Sequence, residues 1–569
     1  MKNTVYTLLA AAAILGSCVP MDIAPKSQGS SASWYTTETE LKMAVNEFYI
    51  LGYWNYLESS ERWTDNNTYR NINYNTPILD GTVTGETWDC YHIWEQCYKL
   101  ISRTNSLLDN ISRAENAGMN QEKVNRFKAE ACFARACKYG DLIFLFGDVP
   151  YIDHYQTIEE AEQNGRVDKA TILQKVYDDF DFAALHLPAS YAGSEAVHFT
   201  KGAAYAMKAR YALYMGDWAT AASAASECMK LGYTLENDYS TIFLQGTKMI
   251  SEKIFVIPRS ISASVVLDEW YVKNSLPRNA GGYAAYTPSW DLLAAYLCTD
   301  GLPIDESPLF DSQNPFANRD PRCTKTIVEF GTAHMGYIFD PSPNATKTTK
   351  LADLTQVSNQ DSRAVNQYAS FNGLLLKKGI DESWLENFPK NEKDYVLMRY
   401  ADVLLMYAEA KIELGEIDAS VLNAINTVRA RAYGVKVGDT AYYPAVTGTD
   451  QATLRKAVRI ERRMELAYEQ LRYADLIRWR LAAKVLNLSN YINLDPAACK
   501  SEVVDKGYWF WGMTPSIDED GVADFSALFA AGLCQKGAQR VFPDRQYLMP
   551  IPTHDIELSG GNLKNNEGY

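Results

Sequence analysis

The stretch KGAAYAMKARYALYMGDWATAASAASECMKL, Lys201 to Leu231, decides the fold. Its two amphipathic halves meet at Gly216-Asp217, a pair that stops one helix and starts another. Alanines allow two helix backbones to approach closely, while Tyr211, Leu213, Tyr214 and Trp218 supply bulk around the turn. The spacing predicts an antiparallel helical hairpin. The design returns at Tyr400 to Arg431, YADVLLMYAEAKIELGEIDASVLNAINTVRAR, with its break at Gly415. Small and large residues set around a glycine turn, between helices of ~12 to 15 residues, have the character of tetratricopeptide-type units.

Outward from these hairpins, apolar periodicity predicts further helices at Thr39 to Tyr53, Thr87 to Ser112, Gln121 to Phe146, Lys169 to Leu187 and Gln451 to Val485. The last carries apolar residues at three- and four-residue intervals, with its Arg-Glu pairs expected on the wetter side. From about Gly232 to Asp394 the pattern changes to short apolar runs among Gly, Pro, Asn and Ser, which reads as loops and short strands. The expected class is mainly α: tetratricopeptide-like helical repeats packed against an irregular, loop-rich lobe with short strands. The expected segments are a signal peptide over 1–17, a lipidated N-terminus and tether over 18–38, and helices over 39–231. The irregular lobe then covers 232–394, and a C-terminal helical region covers 395–569.

The beginning of the chain carries an address. Lys2 precedes an apolar run from Val5 to Leu15, the length of a signal-peptide core and too short to cross a bilayer. The run ends in Leu15-Gly16-Ser17-Cys18, similar to the lipobox of bacterial lipoproteins, in which the cysteine becomes the lipidated first residue. Cys18 is therefore the expected lipidation site, with Pro20, Pro25 and the serine-rich Ser27 to Ser33 as a flexible tether. Nine cysteines follow Cys18, and an odd number cannot all pair within one chain. Cys132 and Cys137, five residues apart on one expected helix, lie ~140° apart around its axis and are expected to stay unbridged.

A net charge of −15 and a pI near 5.1 oppose attraction to phosphate backbones, so nucleic acid is excluded as a partner. The six histidines show no metal-ligand spacing, and no nucleophile-elbow, P-loop or Rossmann glycine pattern is present. Asp518-Glu519-Asp520-Gly521 lacks the later glutamate of a calcium loop and reads as a polar turn. No catalytic residue, metal or cofactor is assigned. Aromatic content is 12 %, with 37 Tyr and 12 Trp, and flat amphipathic rings suit sugar faces.

Several segments together resemble the SusD/RagB family of nutrient-binding outer-membrane lipoproteins. They are Phe146 to Pro150 (FGDVP), the hairpin start Thr200 to Ala204 (TKGAA), Asn318 to Arg322 (NRDPR), and Met398 to Ala410 (MRYADVLLMYAEA). Glu461-Arg462-Arg463 with Asp475 to Trp479, and the ending from Pro550-Ile551-Pro552 to Asn565 to Tyr569 (NNEGY), complete the set. The resemblance implies a helical, surface-exposed protein anchored in the outer membrane. It would close over a SusC-like TonB-dependent transporter and help to trap an oligosaccharide or peptide without chemistry of its own. Within these motifs Arg399 is expected to pair with Asp402 one turn on, and Asp320-Pro321 to set a turn.

Sugar recognition needs flat apolar faces beside amide, carboxylate or guanidinium groups. The segment ERWTDNNTYR offers Trp63, Asp65, Asn66, Tyr69 and Arg70, and the segment from Asp268 to Trp290 offers Trp270, Tyr271, Asn274, Arg278, Tyr283 and Tyr286. Trp290 is expected to be buried by its own helix. In Tyr508 to Trp511, Trp509 and Trp511 would share a face if extended, and packing is the favoured role. Beside glycan capture stand three alternatives: a peptide-binding lipoprotein, a surface glycosidase or esterase, and a transporter lid with little ligand affinity.

Overall fold

The computed structural model describes residues 34–70, 73–386 and 390–569; the expected signal segment and Cys18 lie outside the described residues. Side-chain caps start most of the principal helices. Thr37 forms a reciprocal capping box with Glu40 and opens α1 (Glu38–Asn46). Helix α2 (Trp88–Asn110) is followed by α3 (Gln121–Phe146), whose Asn120 cap accepts from the backbone of Glu122 and Lys123. Asp168 starts α4 (Lys169–His186), Thr200 starts α5 (Lys201–Tyr214) and Asp217 starts α6 (Trp218–Met229). Asp268 caps a short helix, α7 (Glu269–Ser275), inside the loop-rich lobe. The second hairpin is α8 (Tyr400–Leu414) and α9 (Ala419–Ala432), followed by α10 (Gln451–Glu465). Both hairpins turn at a glycine in the left-handed region, Gly216 at φ +77° and Gly415 at φ +74°.

Helix α3 is buried between α2 and α4, and the first hairpin docks on the second through α6 against α8. The approach of α5 to α3 depends on Gly140, where a Cβ would stand 2.6 Å from the Tyr211 ring. That ring's hydroxyl donates to the Cys137 carbonyl at 2.9 Å and meets Asp141 at the same distance. The fold is thus mainly α with tetratricopeptide-like hairpins. No helix among the described residues is long and apolar enough to cross a membrane. All nine described cysteines are free and buried, Cys132 and Cys137 among them.

Two antiparallel ribbons tie the loop-rich lobe to the helices. Strand Lys253–Ile257 pairs with Tyr395–Arg399, which runs directly into α8. Strand Asn67–Tyr69 pairs with Tyr286–Pro288, placing Tyr69 opposite Tyr286. A second core forms around Trp290, Phe510, Trp511 and Phe525. Trp290 is buried as expected. Trp511 is fully buried against Trp290, while Trp509 is half-buried against Phe330, so the two do not share an open face.

Three expectations are corrected. The region from Gln451 to Val485 is not one helix: α10 ends at Glu465, and Arg472–Arg478 and Ala482–Val485 follow as separate turns of helix. Tyr468 and Gln470 take positive φ in the break. The carbonyls freed there are held by buried cations, with Lys378 donating to Glu465 O and Ala467 O, and Arg399 to Glu465 O. The helix at Thr39 to Tyr53 likewise gives way after Asn46 to tight turns over Glu47–Tyr49 and Leu51–Tyr53. Arg399 does not pair with Asp402. It bonds Glu252 and Glu465 at 2.7 Å and Glu469 at 2.6 Å, while Asp402 takes Arg210 at 2.6 Å and Arg462 at 2.8 Å. A helical-turn rule sees only local partners, and here the partners come from distant segments.

Those contacts belong to a buried ionic network, so the Arg-Glu pairs of α10 lie inside the protein and not on a wetter side. Glu465 also accepts from Arg322 and Arg431, Glu252 from Arg431, and Glu461 from Arg322 and Arg429. Asp320 clasps the same Arg322 at 2.8 Å. The motif residues Arg322, Arg399, Glu461 and Arg462 therefore pin the second hairpin, α10 and the loop-rich lobe to one another.

Candidate functional site

The pairing of Asn67–Tyr69 with Tyr286–Pro288 brings the early aromatic segment against the middle one. Beside it opens a cleft of about 670 Å³, the size of a pocket that encloses a small oligosaccharide. Tyr69, Trp270, Tyr271 and Tyr286 line it. Tyr69 and Tyr286 lie 5.8 Å apart between ring centres, and Tyr74 adds a third ring 4.9 Å from Tyr69. Trp270 is carried on α7 and is 60 % exposed, so its indole face is open.

The opposite wall comes from α2. Trp88, 64 % exposed, stacks on His92 one turn later at 4.5 Å and 14°. Sequence reasoning missed Trp88, His92 and Tyr74. For the first two a signal was present: the buried stripe of α2 runs through Cys90, Ile93, Trp94 and Cys97, and Trp88 and His92 fall off it. Burial holds His92 below the ordinary imidazole range. Burial also raises Asp89 on the same wall, opposed by the charge of Arg62. The Arg62 guanidinium lies 5.0 Å over the Tyr286 ring and donates to the Tyr286 hydroxyl at 3.2 Å.

Tyr283, Arg70 and Arg278 stand beside the cleft. Tyr283 meets Trp270 edge-on at 5.5 Å. Arg70 lies over Tyr283 at 5.6 Å.

Four expected contact residues are turned inward. Trp63 is 1 % exposed and packs edge-on to Tyr473. Asp65 is fully buried between Arg463 at 2.7 Å and Arg472 at 2.9 Å; burial works against its charge, yet these two guanidinium groups hold its carboxyl well below the usual range. Asn66 donates to Glu61 at 2.7 Å, and Asn274 donates to the Trp270 carbonyl at 2.7 Å. Their polar groups and the Trp63 ring are engaged inside the protein, which corrects their expected place at the ligand. The segment reads as a polar aromatic loop, but its first half is a tight turn anchored on the break after α10.

A smaller pocket of about 70 Å³ among Tyr56, Lys138, Asp141, Arg210 and Tyr211 is too small for a sugar ring with its contacts. Among the described residues no group of three His, Cys, Asp or Glu is placed to hold a metal ion. Of these two spaces, the open cleft has the room for a ligand of several rings.

Comparison with known proteins joins this geometry. The profile of the SusD family matches residues 251–569, and a profile described as "Starch-binding associating with outer membrane" matches residues 21–213. SusD-like protein P25 of Formosa agariphila is 26 % identical over 448 residues, 74 % of this chain and 76 % of that protein. A SusD-like carbohydrate binding protein of Bacteroides fragilis superposes with a TM-score of 0.74 at 27 % identity, covering 92 % of this chain and 98 % of that one. A second SusD-like protein of the same species gives a TM-score of 0.71 at 24 % identity, covering 94 % and 98 %.

Proposed function

This chain belongs to the SusD family, and we propose that it is a cell-surface lipoprotein that binds an oligosaccharide and delivers it to a SusC-like TonB-dependent transporter. The observation that carries the proposal is the cleft, where exposed Trp88 and Trp270 flank a tyrosine cluster with polar groups between them. Pyranose and furanose rings present apolar C–H faces that stack on such rings, and their hydroxyls pair with the groups around them. The name of the Bacteroides fragilis relative, a carbohydrate binding protein, supports the same class of ligand.

The role is binding, without chemistry. Of the three carboxylates at the cleft, Glu58 is paired with Arg259 at 2.6 Å and Asp268 caps α7, which leaves Asp89 alone, short of the carboxylate pair that glycoside hydrolysis uses. Anchorage falls to Cys18, and two or three acyl chains hold a protein stably at a membrane. Replacing that residue, Cys18→Ala, is expected to release the protein from the outer-membrane fraction. Retention of the variant there would remove the anchor.

Calorimetry against neutral oligosaccharides and against peptides tests the ligand. Trp88→Ala and Trp270→Ala are each expected to weaken glycan binding by ~1 to 3 kcal/mol. Binding of peptides alone, or unchanged glycan affinity in both variants, would overturn the reading.

A further inference from the structure

Beside the cleft lie two guanidinium groups that form no ion pair among the described residues. Arg70 follows Tyr69 directly and lies 5.7 Å from the centre of the Tyr368 ring; Arg278 approaches that same ring at 5.6 Å. Among the described residues neither makes an ion pair with a carboxylate. Asp361, whose charge reaches Arg278, has its oxygens engaged by the backbone N–H groups of Arg278 and Asn279 and by the Asn279 amide. Lys273, nearby on α7, is paired with Glu269.

Few of the donors on this pair are used. Arg278 Nε donates to the Tyr368 carbonyl at 2.7 Å, and Arg70 reaches the Tyr283 carbonyl at 3.5 Å. A guanidinium carries five N–H donors, so most remain for water or a ligand. Arg319 shows the alternative: it too lacks a carboxylate, but it is buried and donates to the carbonyls of Pro315, Leu293 and Tyr296. The two cations also repel each other. Burial first, and the charge of Arg70 second, hold the pKa of Arg278 below its ordinary value. With 70 acidic side chains against 55 basic ones, partners for these arginines are not scarce in this protein, yet the pair is left without one.

The position suits a substituent on a bound sugar. Tyr368 is 56 % exposed, and Tyr283 links the arginines to Trp270 at the cleft. The cleft wall itself is not cationic, since Glu58, Asp89 and Asp268 are on it. The favourable place for an anion is therefore the flank, where forked donors flank a flat ring. We propose that the ligand is an anionic glycan, one carrying carboxylate or sulfate groups, with a charged substituent between Arg70 and Arg278 over Tyr368 and neighbouring sugar rings in the cleft. This rests on the glycan-binding reading above and narrows it.

Two matched pairs of probes test it by calorimetry on the purified protein: oligogalacturonate against its carboxyl-reduced form, and dextran sulfate against dextran. One anionic member is expected to bind at least about 10-fold tighter than its neutral counterpart, and which pair responds distinguishes carboxylate from sulfate. The double variant Arg70→Gln, Arg278→Gln should weaken that anionic ligand by about 10- to 100-fold, with an unchanged denaturation midpoint and little effect on neutral sugars. Raised salt should weaken the anionic ligand alone. Equal binding of charged and neutral members, or full affinity in the double variant, overturns the anionic proposal and leaves glycan binding standing. Failure of all four probes also overturns it, and the neutral panel described above then judges the wider reading by itself.

Discussion

The arginines of this protein fall into two regions that use the same side chain for opposite ends. Around α10, Arg322, Arg399, Arg431 and Arg462 are buried and surrounded by carboxylates from distant parts of the chain. Beside the cleft, Arg62, Arg70 and Arg278 lie half-buried against tyrosine rings. A buried guanidinium must have its charge matched by carboxylates or its donors taken up by carbonyls, as at Arg319, because removing it from water costs several kcal/mol. A half-buried one keeps part of its hydration and can exchange water for a ligand. The comparison teaches that the family motifs mark the frame, whereas the proposed recognition surface draws on rings and cations outside them.

Acid should act most strongly on the first region. Burial alone would raise the Asp402 carboxyl, but Arg462 and Arg210 bring it down to about 2; Glu465 and Asp65 are likewise held below the usual range against their burial. A depressed pKa contributes stability that is complete above the ordinary carboxylate value near 4 and is lost as pH falls through the folded value. Burial raises Glu61, Asp291 and Asp361 instead, so these three oppose the loss in part. The urea midpoint is therefore expected to fall steadily from pH ~4 to ~2, ending in cooperative unfolding. A flat or rising midpoint over that window would break the contrast between the regions.

At neutral pH, Glu465→Ala removes the carboxylate shared by Arg322, Arg399 and Arg431. The expected loss is ~3 to 5 kcal/mol of unfolding free energy, because it leaves buried charge uncompensated. A loss below ~1 kcal/mol would mean that water or remaining acids already satisfy those arginines.

Two tryptophans sharpen the comparison further. Trp63→Ala should lower stability by about 3 kcal/mol by opening a cavity beside Tyr473. Trp270→Ala, on the exposed cleft, should change stability by less than ~0.5 kcal/mol while weakening ligand binding. Reversed results in paired denaturation and calorimetry would return the early loop to the site.

The helical half of the fold was legible in the sequence. Helix α3 spans Gln121 to Phe146 as its periodicity predicts, α4 differs by one residue at its end, and both hairpins break at the anticipated glycines. The break after α10 was not legible. Its apolar spacing continues through Leu471 and Leu476, and only tertiary bonds to Lys378, Arg399 and Asp65 show why the helix stops. At the candidate site, composition pointed to both aromatic segments, yet Trp63 and Trp270 carry the same side chain in similarly polar surroundings, and one is buried while the other is open.

Local sequence sets what depends on neighbours within a few residues: caps, turns and helical stripes. Burial and partner choice depend on contacts between segments far apart in the chain, such as Tyr69 with Tyr286 or Arg399 with Glu465. Such contacts form only when the packed helices hold both ends in place, because the entropy lost in joining distant segments must be offset by the whole assembly. Amino-acid order thus determined a helical chain rich in rings, and the tertiary structure decided which rings and which cations line the open cleft and its flank.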